Sequence, residues 1–210
     1  VFLGQIYEPP LQYHFLKRPY ELIPLTATGL PKAEYFDKNG EVLEEDANPE
    51  NIDRVKYKIS IKPDILYQPH PAFAKNASGK YLYHDLNEKK LNNIHSLSDF
   101  DTVGTRKLLA KDYVYQIKRM VHPTVHSPIA GLMAKYILGL NEFGEELSKL
   151  EKDKSGSNYI DLNSVELPGA RAIDDTTFEI TLSQKYPQFL YWLSMSFFAP
   201  MPWEADYFYS

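Results

Sequence analysis

Three small groups of residues in this chain could do chemistry. His122 and His126 stand four apart, a spacing that on a continuous helix would put both imidazoles on one face as zinc ligands. Pro123 and Pro128 work against a continuous helix there, and no acidic residue lies between the histidines in the His-Glu-x-x-His manner. Asp174 and Asp175 offer a carboxylate dyad for acid–base work, but neighbours on an extended chain point to opposite faces, so a turn is the better reading. Asp99 and Asp101 have spacing suited to an oxygen-liganded cation, yet no further acidic ligands follow in a calcium-loop pattern. There is no Gly-rich phosphate loop and no nucleophile elbow. The sequence therefore gives no support to catalysis, and neither a metal nor a cofactor is expected.

The elements around these residues are easier to read. Ala170, Ala172 and Ile173 lead into the turn Asp174-Asp175-Thr176, after which Phe178, Ile180 and Leu182 alternate with Thr177, Glu179 and Thr181. That period and turn chemistry predict a half-buried hairpin. Between Leu108 and Val121, Ala110, Val114, Ile117 and Val121 fall on one helical face with Tyr113 and Met120 beside them, while Lys111, Lys118 and Arg119 point elsewhere. A second helical region runs from Ser127 to Lys152 on Ile129, Leu132, Met133, Tyr136, Ile137 and Leu140; Gly139 and Gly144 should break it and leave Glu145 to Lys152 as a separate short helix. Val55 to Ile61 alternates as a strand, and the Asn-Gly pair in Asp37–Gly40 predicts a hairpin joining Lys32–Phe36 to Glu41–Leu43. Glu44 to Arg54 reads as an exposed excursion, Asn76 to Leu97 as loop with one short helix, and Ser155-Gly156-Ser157 as a flexible gap.

Bulk properties argue mainly by exclusion. A chain of 210 residues can bury roughly 70% of its unfolded surface in one core. No apolar run approaches the length of about 18 residues that spans a bilayer. A net charge of −5 with mixed signs removes the basic footprint of a nucleic-acid binder. The absence of cysteine excludes disulfides and thiolate zinc sites and fits either redox compartment. The 16 tyrosines could form a recognition surface, but tyrosine also suits strands and subdomain faces, which is the plainer reading.

The wording of several segments adds a resemblance. Gly169–Leu190 closely resembles the extracellular solute-binding proteins of the peptide/nickel ABC importer class. Leu108-Leu-Ala-Lys-Asp-Tyr-Val-Tyr-Gln-Ile-Lys-Arg119 is similar to that family's Leu-Thr-Ala-x-Asp-hydrophobic-x-Tyr-x-x-x-Arg helix. Leu109 replaces the usual Thr, so helix capping passes to Asp112 or to no side chain. Gln5–Pro9 with Glu21–Pro24 resembles the family's early Tyr-Glu … Leu-x-Pro passage, although Pro9 and Pro10 should stop the opening helix near Glu8 or restart it after Pro10. Val55–Ile61 resembles the strand before a Trp/Phe-x-Asp-Gly loop, which here reads Leu66–Phe73.

The resemblance implies an α+β fold: an antiparallel sheet from segments near 32–43, 55–61 and 170–182, packed by helices near 109–121, 129–140 and 187–196. Phe189, Trp192, Leu193, Phe197 and Phe198 should fill the seam. This would be the smaller subdomain of the first lobe of a two-lobed periplasmic binding protein, with residues 1–210 a single subdomain fragment of a longer receptor whose ends look cut. The apolar stretch Phe197–Trp203 would then be a patch prone to self-association. The function implied is capture of an oligopeptide or similar small solute between two lobes, for delivery to an ABC permease outside the cytoplasmic membrane. The alternatives are a receptor for a nickel complex or sugar, a permease- or partner-docking module, and a hydrolase on the same scaffold, which would need a nucleophile–base pair not found here. Ligand-facing candidates carry over at Ser127 and Ile129, where the family's Ser-Pro-Tyr step reads Ser127-Pro128-Ile129, and at Tyr67 and His70 on the 66–73 loop. Ile129 serves equally well as the first core residue of the next helix.

Overall fold

The computed structural model describes residues 6–153 and 159–210, with the side chain of Glu88 left aside. The start of the opening helix at Gln5 and the gap at Ser155–Ser157 lie outside the described residues. The chain clusters into two compact units, one of residues 1–62 and 109–200, the other of residues 63–108 and 201–210.

The first unit is built on a five-stranded antiparallel sheet in the order β4-β3-β5-β7-β6, formed by β3 (Ala33–Phe36), β4 (Val42–Leu43), β5 (Arg54–Ser60), β6 (Ala170–Ala172) and β7 (Thr177–Leu182). A two-stranded ribbon, β1 (Leu11–Tyr13) with β2 (Leu22–Pro24), precedes it. The predicted alternation sets the register. Val55 lies opposite Leu182, Tyr57 opposite Ile180 and Ile59 opposite Phe178, and all six are buried. Such directly opposed apolar pairs are the unit of sheet stabilisation.

Helix α1 (Ala110–Arg119) covers the sheet through Ala110, Tyr113, Val114 and Ile117. Tyr113 stacks on Phe178 with ring centroids 4.9 Å apart. Asp112 accepts the Leu109 backbone N–H at 2.9 Å, so the capping role does pass to the aspartate. Thr26 donates its hydroxyl to the Pro9 carbonyl at 3.1 Å, which leaves its oxygen to accept from the Tyr113 hydroxyl at 2.6 Å.

At the prolines the first alternative holds: the opening helix stops before Glu8, and after Pro10 the chain continues as strand β1, with Pro9 and Pro10 buried and the Pro10 carbonyl accepting from Leu25 and Ala27. Several expectations are corrected. Lys118 does not point to solvent: it is buried, and its ammonium donates to the carbonyls of Leu162 and Val165 at 2.9 and 2.6 Å. Burial pushes its pKa down, against the opposing pull of Asp161 and Glu166. The region from Ser127 forms α2 (Ala130–Tyr136) and then α3 (Leu140–Asp153). Gly139, at φ +73°, makes the break. Gly144 makes none, because it sits inside α3, where Leu140, Phe143 and Leu147 hold the helix onto the core and a Cβ would come within 3.3 Å of Val121. The long helix expected near 187–196 is only α4 (Phe189–Trp192), followed by a 3-10 turn at Ser196–Phe198. Phe189, Leu193 and Phe198 are buried, while Trp192 and Phe197 are half-buried.

The second unit is an excursion of the loop between β5 and α1, folded together with the terminal helix α5 (Trp203–Phe208). Its backbone frame is three antiparallel bridges, Leu66 with Lys107, His70 with Gly104 and Lys75 with Tyr81. The short helix expected between Asn76 and Leu97 is present at Glu88–Leu91, capped by Asn87. Gly104 has no room for a side chain, since a Cβ there would lie 2.3 Å from the Phe73 carbonyl oxygen. The apolar stretch Phe197–Trp203 divides between the units: Phe198 and Ala199 are buried in the first and Pro202 in the second.

Candidate functional site

Tyr67 and His70 are brought together in the second unit. His70 caps the 3-10 turn Pro71–Phe73: its Nδ1 accepts the Ala72 backbone N–H at 3.1 Å, and its Nε2 lies 3.0 Å from the Tyr209 hydroxyl. Burial lowers its pKa. Tyr67 stacks on Phe73 at 5.5 Å, with the Arg106 guanidinium 5.2 Å from its ring centroid. Ser127 and Ile129 belong to the first unit. Ser127 is half-buried, and its carbonyl accepts from Ala130 at the start of α2. Ile129 is only 7% exposed, so most of its side chain serves the core.

The other chemically suggestive groups have structural occupations. The Asp174 carboxylate accepts the Thr176 N–H and hydroxyl at 2.8 and 2.9 Å, which lowers its pKa and makes it a turn residue, as expected. Asp99 accepts the N–H groups of His95 and Ser96, both at 2.8 Å. His122 turns its Nδ1 to Thr124, and His126 adopts a φ of +50°, so the two do not share a helix. Among the described residues no group of three or more His, Asp or Glu could hold a metal ion.

Two arrangements escaped the sequence reading. In the second unit Glu204, 2% exposed, takes a fork from Arg106 at 2.7 and 2.6 Å and a third bond from the Tyr81 hydroxyl at 3.1 Å. Burial pushes this carboxyl up, but the guanidinium outweighs it and holds the pKa below the usual glutamate value. Burial beside that carboxylate drives Tyr81 up to about 12. Two acids, Glu204 and Asp206, within the otherwise apolar Met-Pro-Trp-Glu-Ala-Asp-Tyr-Phe were the available signal. In the first unit Tyr13, Tyr20 and Tyr191 line an open depression of about 630 Å³. Tyr13 stacks near-parallel to Tyr191 at 6.2 Å and meets Tyr20 edge-on at 5.8 Å, and the Arg18 guanidinium rests 4.4 Å from the Tyr20 centroid. Beyond them, at the ribbon's tip, Phe15 is 87% and Leu16 78% exposed. No sequence periodicity marks this trio, because Tyr191 joins it only through the fold.

Comparison with known proteins shows what the chain is similar to. The periplasmic oligopeptide-binding protein OppA of Escherichia coli is 28% identical over 153 residues, 72% of this chain and 24% of OppA. The pheromone receptor PrgZ superposes on 100% of this chain and 27% of its own, with a TM-score of 0.54 at 17% identity. A periplasmic oligopeptide-binding protein of Borrelia burgdorferi, OppAIV, covers 96% and 26%, with a TM-score of 0.51 at 16% identity. At those identities the structural likeness speaks for the fold. No family model matches the chain. The resemblance carried by the motifs is borne out: the chain is a relative of the peptide-binding solute receptors, and it has the mixed α+β fold of a part of them. It spans about a quarter of the length of the relatives it matches.

Proposed function

We propose that this chain is part of a solute receptor that captures oligopeptides outside the cytoplasmic membrane and hands them to an ABC permease. The observation that carries the reading is the 28% identity to a periplasmic oligopeptide-binding protein over 153 residues. The fold shared with peptide and pheromone receptors agrees with it. No catalytic role is proposed. No helix among the described residues is long and apolar enough to cross a membrane.

In this reading residues 1–210 form one subdomain of a longer two-lobed protein, which closes on its solute because the closed state contacts ligand from both lobes. Peptides are recognised in such clefts largely through their backbone amides and bridging water, so side-chain specificity is loose. Ser127 and the exposed edge of Ile129 are the ligand-facing candidates of the first unit, where the Tyr13–Tyr20–Tyr191 depression adds flat aromatic faces; Tyr67 and His70 are, separately, those of the second. A thermal-shift screen of the intact receptor against mixed-length peptides, nickel chelates and oligosaccharides tests this. A ligand at about 100 times its Kd stabilises by roughly 2.7 kcal/mol. Stabilisation by peptides alone is the expected result; stabilisation only by another solute class overturns the substrate.

A further inference from the structure

The peptide group on either side of Ala72 is held by two imidazoles. Ala72 is fully buried. Its N–H donates to His70 Nδ1 at 3.1 Å, and its carbonyl lies 2.9 Å from His84 Nε2. A carbonyl can only accept, so His84 must carry a proton on Nε2. A backbone N–H can only donate, so His70 must have Nδ1 bare; when neutral it carries its proton on Nε2 and donates to the Tyr209 hydroxyl at 3.0 Å. The two rings are thereby assigned different chemistry: His84 keeps its bond to Ala72 whether neutral or charged, whereas His70 keeps its bond only while neutral.

Both rings also grip the terminal helix. His70 meets the Phe208 ring edge-on at 5.3 Å and the Tyr209 ring at 5.7 Å. His84 lies flat on Tyr81 at 4.0 Å, meets Trp203 edge-on at 5.5 Å, and packs on Tyr207 at 4.9 Å. We infer that His70 is a pH-sensitive latch for the Pro71–Phe73 turn that α5 packs on: it is closed while Nδ1 is bare and forced open when acid protonates Nδ1, and because the Nε2–H bond to the Tyr209 hydroxyl survives that proton, α5 loosens through the displaced ring and turn. A charged His70 would aim N–H at N–H across 3.1 Å and leave the buried Ala72 donor without an acceptor. The groups facing His70 are neutral: the Tyr209 hydroxyl and the Phe208 ring at the end of α5, and Ala72 in the turn. His84 is different, with Glu204 and Asp85 favouring its charge and Lys75 opposing it. Burial lowers the pKa of both rings, and for His84 it is the largest influence.

The sign follows from linkage. A histidine whose folded pKa lies below its ordinary value of 6.5 gives stability that is complete above 6.5 and is lost as pH falls from there through the folded value. The latch therefore opens on the acid side of 6.5.

Amide hydrogen exchange, corrected for intrinsic rates and read at residues 203–209 and at Ala72, tests the inference in the wild-type chain and in His70→Asn. Asparagine offers the same N–H an acceptor but does not titrate. Between pH 7.5 and pH 5.0 the wild type should lose protection at both places, and His70→Asn should lose none. Equal pH dependence in the two proteins, or none in the wild type, overturns the latch. Should His70→Asn not fold, nitrogen NMR of His70 decides: a bare Nδ1 with a pKa below 6.5 supports the latch, and a protonated Nδ1 at neutral pH refutes it.

Discussion

Replacing Arg106 by Gln should expose how the second unit is held together. Glu204 is 2% exposed and receives three hydrogen bonds, two of them from the guanidinium. In the variant the Tyr81 hydroxyl is the one of those three donors that remains. Breaking a buried ion pair by removing one partner costs about 3–5 kcal/mol, because a charge is left uncompensated. The carboxyl has an escape, which is to bind a proton. With an ordinary glutamate pKa of about 4.3, neutralising it at pH 7 costs about 1.36 kcal/mol for each of about 2.7 units, or roughly 3.7 kcal/mol. That sets a ceiling, and the Arg106 side chain is 19% exposed, so water recovers part of the loss. The expected cost is about 3 kcal/mol at pH 7, shrinking to about 1 kcal/mol at pH 5 as the escape becomes cheap. The wild type behaves oppositely: its depressed Glu204 pKa gives stability that is present above the unfolded value and lost as pH falls through the folded one. The chain has two tryptophans, so urea unfolding followed by Trp203 fluorescence in a Trp192→Phe background reports on α5. A loss below about 1 kcal/mol at pH 7, or a loss unchanged at pH 5, would refute the reasoning.

Two further substitutions probe the first unit. Gly169→Ala places a Cβ 2.2 Å from the Leu138 carbonyl oxygen, and because backbone must shift to admit it we expect a loss above about 2 kcal/mol by chemical denaturation. Lys118→Met keeps the stem but leaves the carbonyls of Leu162 and Val165 without the ammonium. A cost of about 2 kcal/mol is expected, with faster proteolysis of the 159–168 segment; unchanged proteolysis would show that the lysine does not anchor it.

The parts of the fold legible in the sequence were those governed by local rules. Alternation at Val55–Ile61 and Thr177–Leu182, the Asn-Gly turn and the Asp174 turn all report short-range geometry, and the structure keeps each of them. What could not be read depends on partners distant in the chain. Lys118 looked solvent-facing by helical angle, yet two carbonyls more than forty residues later give its ammonium a buried home. Gly144 looked like a breaker because glycine's propensity cost of about 1 kcal/mol is visible locally, while the packing of α3 that overrides it is not. The stretches 66–73 and 76–97 read as loop because α5, with which they share a compact unit, follows about a hundred residues later. Of the candidate site, the sequence supplied the histidine at 70 and the tyrosine at 67 but not their surroundings, since Arg106 and Glu204 meet only in three dimensions.

The pairing of β5 with β7 has a consequence for how the protein is made. Val55 lies opposite Leu182, so the central strand waits on the ribosome for more than a hundred residues before its second neighbour emerges. β3 can close against it early, but the other edge stays open, with its backbone donors and acceptors unspent. Closing a loop of that length costs only slowly more than closing a short one, so the delay is one of time rather than of final stability. During that interval the half-built sheet is the species most exposed to wrong partners, and Lys56 and Lys58, which alternate with its apolar side chains, are the charges placed to discourage them.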